Sequence, residues 1–181
     1  LVGGVIGTAA SVLEPWLEAG SSKPESPERE ALLAALNGVF GDHLARSDNP
    51  LALPMELRPA ESTQASTRSS LSPSASGHGA RWLILVHGLC MNDRQWHRGG
   101  HDHGRELARA HGFRPVYLRY NTGLSVADNG AQFAETLEAF LQRHGRAEDE
   151  VVILGHSLGG LVARSAAGQA RARRYRWAGQ L

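Results

Sequence analysis

Two short runs of almost unbroken apolar residues stand out in a mixed chain, Trp82-Leu83-Ile84-Leu85-Val86 and Val151-Val152-Ile153-Leu154. Runs of this length, apolar at odd and even positions alike, predict strands covered on both faces. Phe113 to Tyr120 reads as a third strand, with Pro115 tolerable only near its start. Between the strands the period changes. Phe133, Leu137, Phe140 and Leu141 fall at i, i+4, i+7 and i+8, one face of a helix. Asp128 or Asn129 is placed to cap that helix and Gly145 to end it. Glu106 to His111 predicts a shorter helix with Gly112 just past its end, Asn121-Thr122-Gly123 a turn, and Glu148-Asp149-Glu150 a solvated turn. Strand alternating with helix is the rhythm of a mostly parallel sheet with helices on both faces.

The first eighty residues carry a weaker pattern. Val2, Val5, Ile6, Val12, Leu13, Trp16 and Leu17 form an apolar opening broken by Gly3, Gly4, Gly7 and Pro15, too short and interrupted for a membrane span. A helix packed on the domain and an interfacial helix, with peripheral membrane contact, both stay open for it. Ser26-Pro27-Glu28 reads as a cap with proline at the first helical position, followed by Leu32, Leu36, Val39, Phe40 and Leu44 at helical spacing. Gly38 and Gly41 are expected to split that helix. Leu51 to Arg58 predicts an early antiparallel strand, and residues 61–80 a mobile linker rich in Ser, Thr and Gly. The chain thus divides into an N-terminal segment at 1–60, the linker at 61–80 and a core from 81 to 181.

The strand at 151–154 hands over to Gly155-His156-Ser157-Leu158-Gly159 and then to the small-residue helix pattern of Gly160-Leu161-Val162-Ala163-Arg164. That is the context of a G-x-S-x-G nucleophile elbow, in which a sharp strand-to-helix turn lifts the serine oxygen clear of the sheet. Gly155 and Gly159 are predicted where a side chain would collide with the turn. The helix beyond Ser157 offers free N–H groups and a positive dipole end to an oxyanion. The strand at 81–86 ends in His87-Gly88-Leu89-Cys90, where Gly88 lets backbone pass close to a substrate. The amides of Leu89 and Leu158 are the expected oxyanion donors, with His87, Gly88, Gly155, His156 and Gly159 as supports.

These stretches resemble a family. LILVHGLCMNDRQW (83–96), GHDHGRELARAHG (100–112), PVYLRYNTG (115–123) and VVILGHSLGGLVARSA (151–166) are similar to the bacterial α/β-hydrolases of the lipase/esterase type, close to those described as PGAP1-like or DUF676-like. The resemblance implies the α/β-hydrolase fold and a serine hydrolase of carboxylic esters, with Ser157 as nucleophile and a small-molecule or lipid ester as substrate. In that family the acid and the histidine of the triad follow the serine. Residues 158–181 contain no Asp, Glu or His, and the chain begins at Leu1. It is therefore expected to be an N-terminal fragment, truncated after the nucleophile helix and inactive alone. Tyr175 to Leu181 reads as the approach to a further strand. The upstream histidines His87, His101 and His103 stay open as a substitute base, and a non-catalytic binding or scaffold domain of the same fold is the alternative function.

Composition narrows little beyond this. One globular unit fits 181 residues with 41% hydrophobic content. A net charge of +1 makes no case for nucleic acid. Arg171, Arg173, Arg174 and Arg176 suit the C-terminus of a helix. His97, His101 and His103 cluster like metal ligands, but no HExxH or Cys pair accompanies them, so a polar network is expected and neither metal nor cofactor is called for. The single Cys90 excludes an internal disulfide, reads as packing, and favours a cytoplasmic setting. The oligomeric state is not legible.

Overall fold

The computed structural model describes residues 26–60 and 79–181. The apolar opening at residues 2–17 and nearly all of the expected linker lie outside the described residues. Helix α1 (Pro27–Arg46) begins as its sequence predicts, with Ser26 accepting the Arg29 N–H at 3.2 Å and Pro27 in the first turn, where no N–H is needed. It is not split. Gly38 and Gly41 lie within one continuous helix, and both mark close approach: a Cβ at Gly38 would overlap Cys90 Sγ, and one at Gly41 would overlap Asn121 Oδ1.

The other strands and α-helices among the described residues are β1 (Glu56–Pro59), β2 (Arg81–Val86), a hairpin of the two-residue strands β3 (His97–Arg98) and β4 (His101–Asp102), α2 (His103–His111), β5 (Arg114–Arg119), α3 (Val126–His144), β6 (Glu150–Gly155) and α4 (Leu158–Ala172). The main sheet has the order β1-β5-β2-β6. β5, β2 and β6 run parallel, and β1 lies antiparallel against β5 with Leu57 opposite Leu118. The early strand is thus shorter than the run from Leu51 to Arg58.

Both faces of the sheet are covered, as continuously apolar strands require. Trp82, Ile84 and Val86 turn toward α3 and α4, where they meet Phe133, Leu137, Leu141, Val162 and Ala166. Leu83 and Leu85 turn the other way, toward Tyr117 and Leu107 of α2. Phe133, Leu137 and Leu141 of the α3 stripe are fully buried and Phe140 partly so, and each fully buried side chain contributes about 1.5–3 kcal/mol relative to exposure. Helix α1 instead meets the carboxyl end of the sheet. Its Glu30 pairs with Arg119 at the end of β5 at 2.7 Å, and its glycines meet the loops that follow β2 and β5.

Two local expectations need correction. The cap of α3 is Ser125, which accepts the Asp128 N–H at 3.0 Å. Asn129 is buried and donates to the carbonyls of Asn121 and Leu124. Glu148 and Glu150 are exposed as expected of a solvated turn, but Asp149 is buried. Its carboxylate accepts from Trp82 Nε1 at 2.8 Å, the Ala80 N–H at 2.7 Å and the Arg146 N–H at 2.9 Å. Burial alone would raise the pKa of this acid, but these bonds outweigh it and hold the group below its ordinary value. The charge fastens the start of β2 to the start of β6.

Past α4, a 3₁₀ turn at Arg176–Gly179 buries Trp177, whose Nε1 donates to the Ala134 carbonyl at 3.1 Å. Gln180 then accepts the Val151 N–H at 2.8 Å, so the chain runs up to the outer edge of β6 where a further strand was expected. No helix among the described residues is long and apolar enough to cross a membrane.

Candidate active site

β2 and β6 are parallel neighbours with Val86 opposite Gly155, so their carboxyl ends deliver two loops to one edge of the sheet. His156 extends the pairing by donating to the Val86 carbonyl at 2.9 Å. The chain then reverses at Ser157, with φ 52° and ψ −122°, and Leu158 opens α4. Positive φ in a residue with a Cβ is strained and persists only where its surroundings demand it. The demand is visible in the flanking glycines. A Cβ on Gly155 would lie 2.6 Å from Gly160 N, and one on Gly159 would overlap the Val86 carbonyl oxygen and lie 2.6 Å from that of His87. α4 therefore crosses β2 at backbone contact, and Ser157 is left exposed at the top of the turn.

The loop after β2 comes to the same point. A Cβ on Gly88 would lie 3.2 Å from Ser157 Cβ and 3.1 Å from both His156 Nδ1 and Met91 Sδ. The N–H groups of Leu89 and Leu158 find no acceptor among the described residues. Two amides without an acceptor among the described residues lie on the two loops that meet at an exposed serine. Ser157, Leu89, Leu158, Gly88 and His156 are thus brought together.

His87 has a different place. It is fully buried, stacked on Tyr120 with ring centroids 4.5 Å apart, and its Nδ1 lies 3.1 Å from the Gly88 carbonyl oxygen. That bond puts the proton of the neutral ring on Nδ1, while Nε2 is buried without a hydrogen-bond partner among the described residues. Burial pushes the imidazole pKa down to about 4, against the Gly88 bond and the charge of Asp93, which favour the cation. The unfolded chain takes up this proton near 6.5 and the folded chain only near 4. The associated stability is therefore full above 6.5 and is lost as pH falls toward 4, by up to about 3 kcal/mol. Urea unfolding at pH 7.5 and 4.5 should show this loss in the native protein and a smaller one in His87→Gln. Equal losses in the two would refute it.

The other two histidines weighed as a base, His101 and His103, make no hydrogen bond to Ser157. His101 Nε2 and His103 Nδ1 bond to each other at 3.2 Å, and His103 stands edge-on to Trp96. Asp102 caps α2 by accepting the Arg105 N–H and also accepts the Tyr117 hydroxyl. Among the described residues no group of three or more His, Cys, Asp or Glu side chains could hold a metal ion. Ser157 Oγ makes no hydrogen bond among them either. Cys90 is half-buried, its Sγ packed where α1 passes at Gly38.

Two residues that support the site gave no separate signal in the sequence. The Tyr120 hydroxyl donates to the His87 carbonyl at 2.7 Å, and Thr122 Oγ1 accepts the Cys90 N–H at 3.1 Å. An aromatic at a strand end and a threonine in a turn look the same with or without such duties.

A model of the alpha/beta hydrolase family matches residues 83–176. The crystal structure of the Bacillus licheniformis lipase BlEst2 in its mature form is similar, with 20% identity and a TM-score of 0.47. The alignment covers 67% of this chain and 43% of the lipase, so the chain spans less than half the length of that protein. No curated protein matches the chain. The family match extends over more than half of the chain and takes in both loops of the site: the chain belongs to the alpha/beta hydrolase family.

Proposed function

We propose that this chain carries the nucleophile and the oxyanion hole of a serine hydrolase that cleaves carboxylic esters. The observation that supports it most is Ser157, exposed and strained at a strand-to-helix turn, with the Gly88 loop packed against its Cβ. Ser157 Oγ attacks the acyl carbonyl, and the Leu89 and Leu158 amides receive the oxyanion of the tetrahedral intermediate. The alkoxide leaves with a proton from the general acid, the acyl group stays on Ser157, and water releases it as the carboxylic acid. Among the described residues no imidazole is bonded to Ser157 Oγ, and the reading requires a base with a carboxylate partner to take up the serine proton. The narrower subtype and a lipid ester as substrate belong to the same proposal.

The test is labelling of the full-length protein with a fluorophosphonate probe, followed by peptide mapping. The probe is expected on Ser157. A second reading, a binding or scaffold domain without catalysis, draws on the lack of an imidazole bonded to Ser157 Oγ among the described residues, and absence of labelling would favour it.

A further inference from the structure

The loop that carries Leu89 is held on both sides of that residue. Before it, the His87 carbonyl accepts the Tyr120 hydroxyl at 2.7 Å. After it, the Cys90 N–H donates to Thr122 Oγ1 at 3.1 Å. Cys90 itself sits at φ 57°, a left-handed conformation that a residue with a Cβ keeps only when something holds it there. Thr122 is 3% exposed, so water has little access to replace its hydroxyl. The segment bearing Thr122 is fixed in turn by α1. Asn121 Nδ2 donates to the Gly41 carbonyl at 2.8 Å, and a Cβ on Gly123 would overlap the Asn37 carbonyl. Helix, turn and loop form one stack at the carboxyl edge of the sheet.

We propose that Thr122 is a positioning residue for the oxyanion hole, acting through the Cys90 amide to fix where the Leu89 N–H points. This rests on the reading of Leu89 as an oxyanion donor. A donor contributes in the transition state only if it stands at the place where charge develops, and a displacement of about 1 Å can cost about a hundredfold in rate. Valine has the shape of threonine but accepts no hydrogen bond. Thr122→Val leaves the Cys90 N–H without a buried acceptor and frees the loop to leave its left-handed turn.

The experiment uses the full-length protein with a fluorophosphonate probe and p-nitrophenyl butyrate. Thr122→Val is expected to slow Ser157 labelling by about ten- to a hundredfold and to lower kcat by a similar factor with KM within about twofold. Thr122→Ser keeps the acceptor and should stay within about threefold of the native rate. Thr122→Ala leaves room for a water and should fall between them, and it serves as a second reading if the valine variant folds poorly. A purely structural role would lower the thermal midpoint of Thr122→Val and leave the folded fraction reacting at the native rate. That outcome overturns the proposal alone. Failure of the native protein to label at Ser157 overturns the esterase reading and the role of Thr122 with it.

Discussion

On the proposed esterase function, Ser157→Ala is expected to reduce ester turnover by about five to six orders of magnitude. The substitution removes the only atom that forms the acyl bond, while the Leu89 and Leu158 amides keep their places. What remains is the residual rate that a preformed oxyanion hole gives to attack by water. Burst titration with p-nitrophenyl butyrate should accordingly lose its burst. Alanine keeps a Cβ at φ 52°, so the unfolding transition should barely move. Ser157→Gly should be equally inactive and more stable by about 1 kcal/mol, because glycine occupies positive φ without strain. Turnover that survives in both variants would show that Ser157 is not the nucleophile.

Gly159→Ala should be among the most damaging single methyl groups in the described structure. It would strike the Val86 carbonyl oxygen and lie 2.6 Å from that of His87, and neither can rotate aside, because both belong to backbone at the end of β2. Relief requires α4 to lift from the sheet. That movement drags Val162, Ala166 and Ala170, all fully buried, out of the core and carries the Leu158 amide away from Leu89. A loss of more than about 3 kcal/mol is expected, with activity lost even in molecules that fold. Gly160→Ala is the control. The nearest atom to its new Cβ, the Gly155 carbonyl oxygen, stands 4.0 Å away, and alanine is the better helix former by up to about 1 kcal/mol. Urea denaturation of the two variants side by side would decide the matter. Equal stability would mean that the crossing of α4 over β2 is looser than the structure has it.

What could be read from the sequence was local. The apolar runs at 81–86 and 151–154, the helical spacing of Phe133, Leu137 and Leu141, and the left-handed Gly112 after α2 all announce themselves within a few residues. The turn at Ser157 is legible in part for the same reason, since a Cβ on Gly155 meets Gly160 across it, whereas the close contacts of Gly159 are with Val86 and His87 at the end of a strand distant in sequence. The failures are long-range. Gly38 and Gly41 look like helix breakers until the loops at Cys90 and Asn121 are brought against them. Asp149 looks solvated between two glutamates, yet its partners Ala80 and Trp82 are 69 and 67 residues away. The α3 cap was misplaced for a different reason. Ser125 and Asp128 are both good cap residues, and only the buried bonds of Asn129 show which register the helix takes. Thr122 is the functional counterpart of Asp149, meeting Cys90 from 32 residues away.

The pairing of Val86 with Gly155 has a further consequence. The loops bearing Leu89 and Ser157 leave adjacent parallel strands at the same level, so the width of the site is set by the spacing between strands, about 4.8 Å, and by the ladder that maintains it. Side chains in the two cores decide how firmly the ladder persists, but they do not set its pitch. Substitution there can erode the lifetime of the folded state while the dimensions of the reactive edge stay the same. Variation in chemistry is left to the loops themselves, whose residues can change without asking the sheet to move.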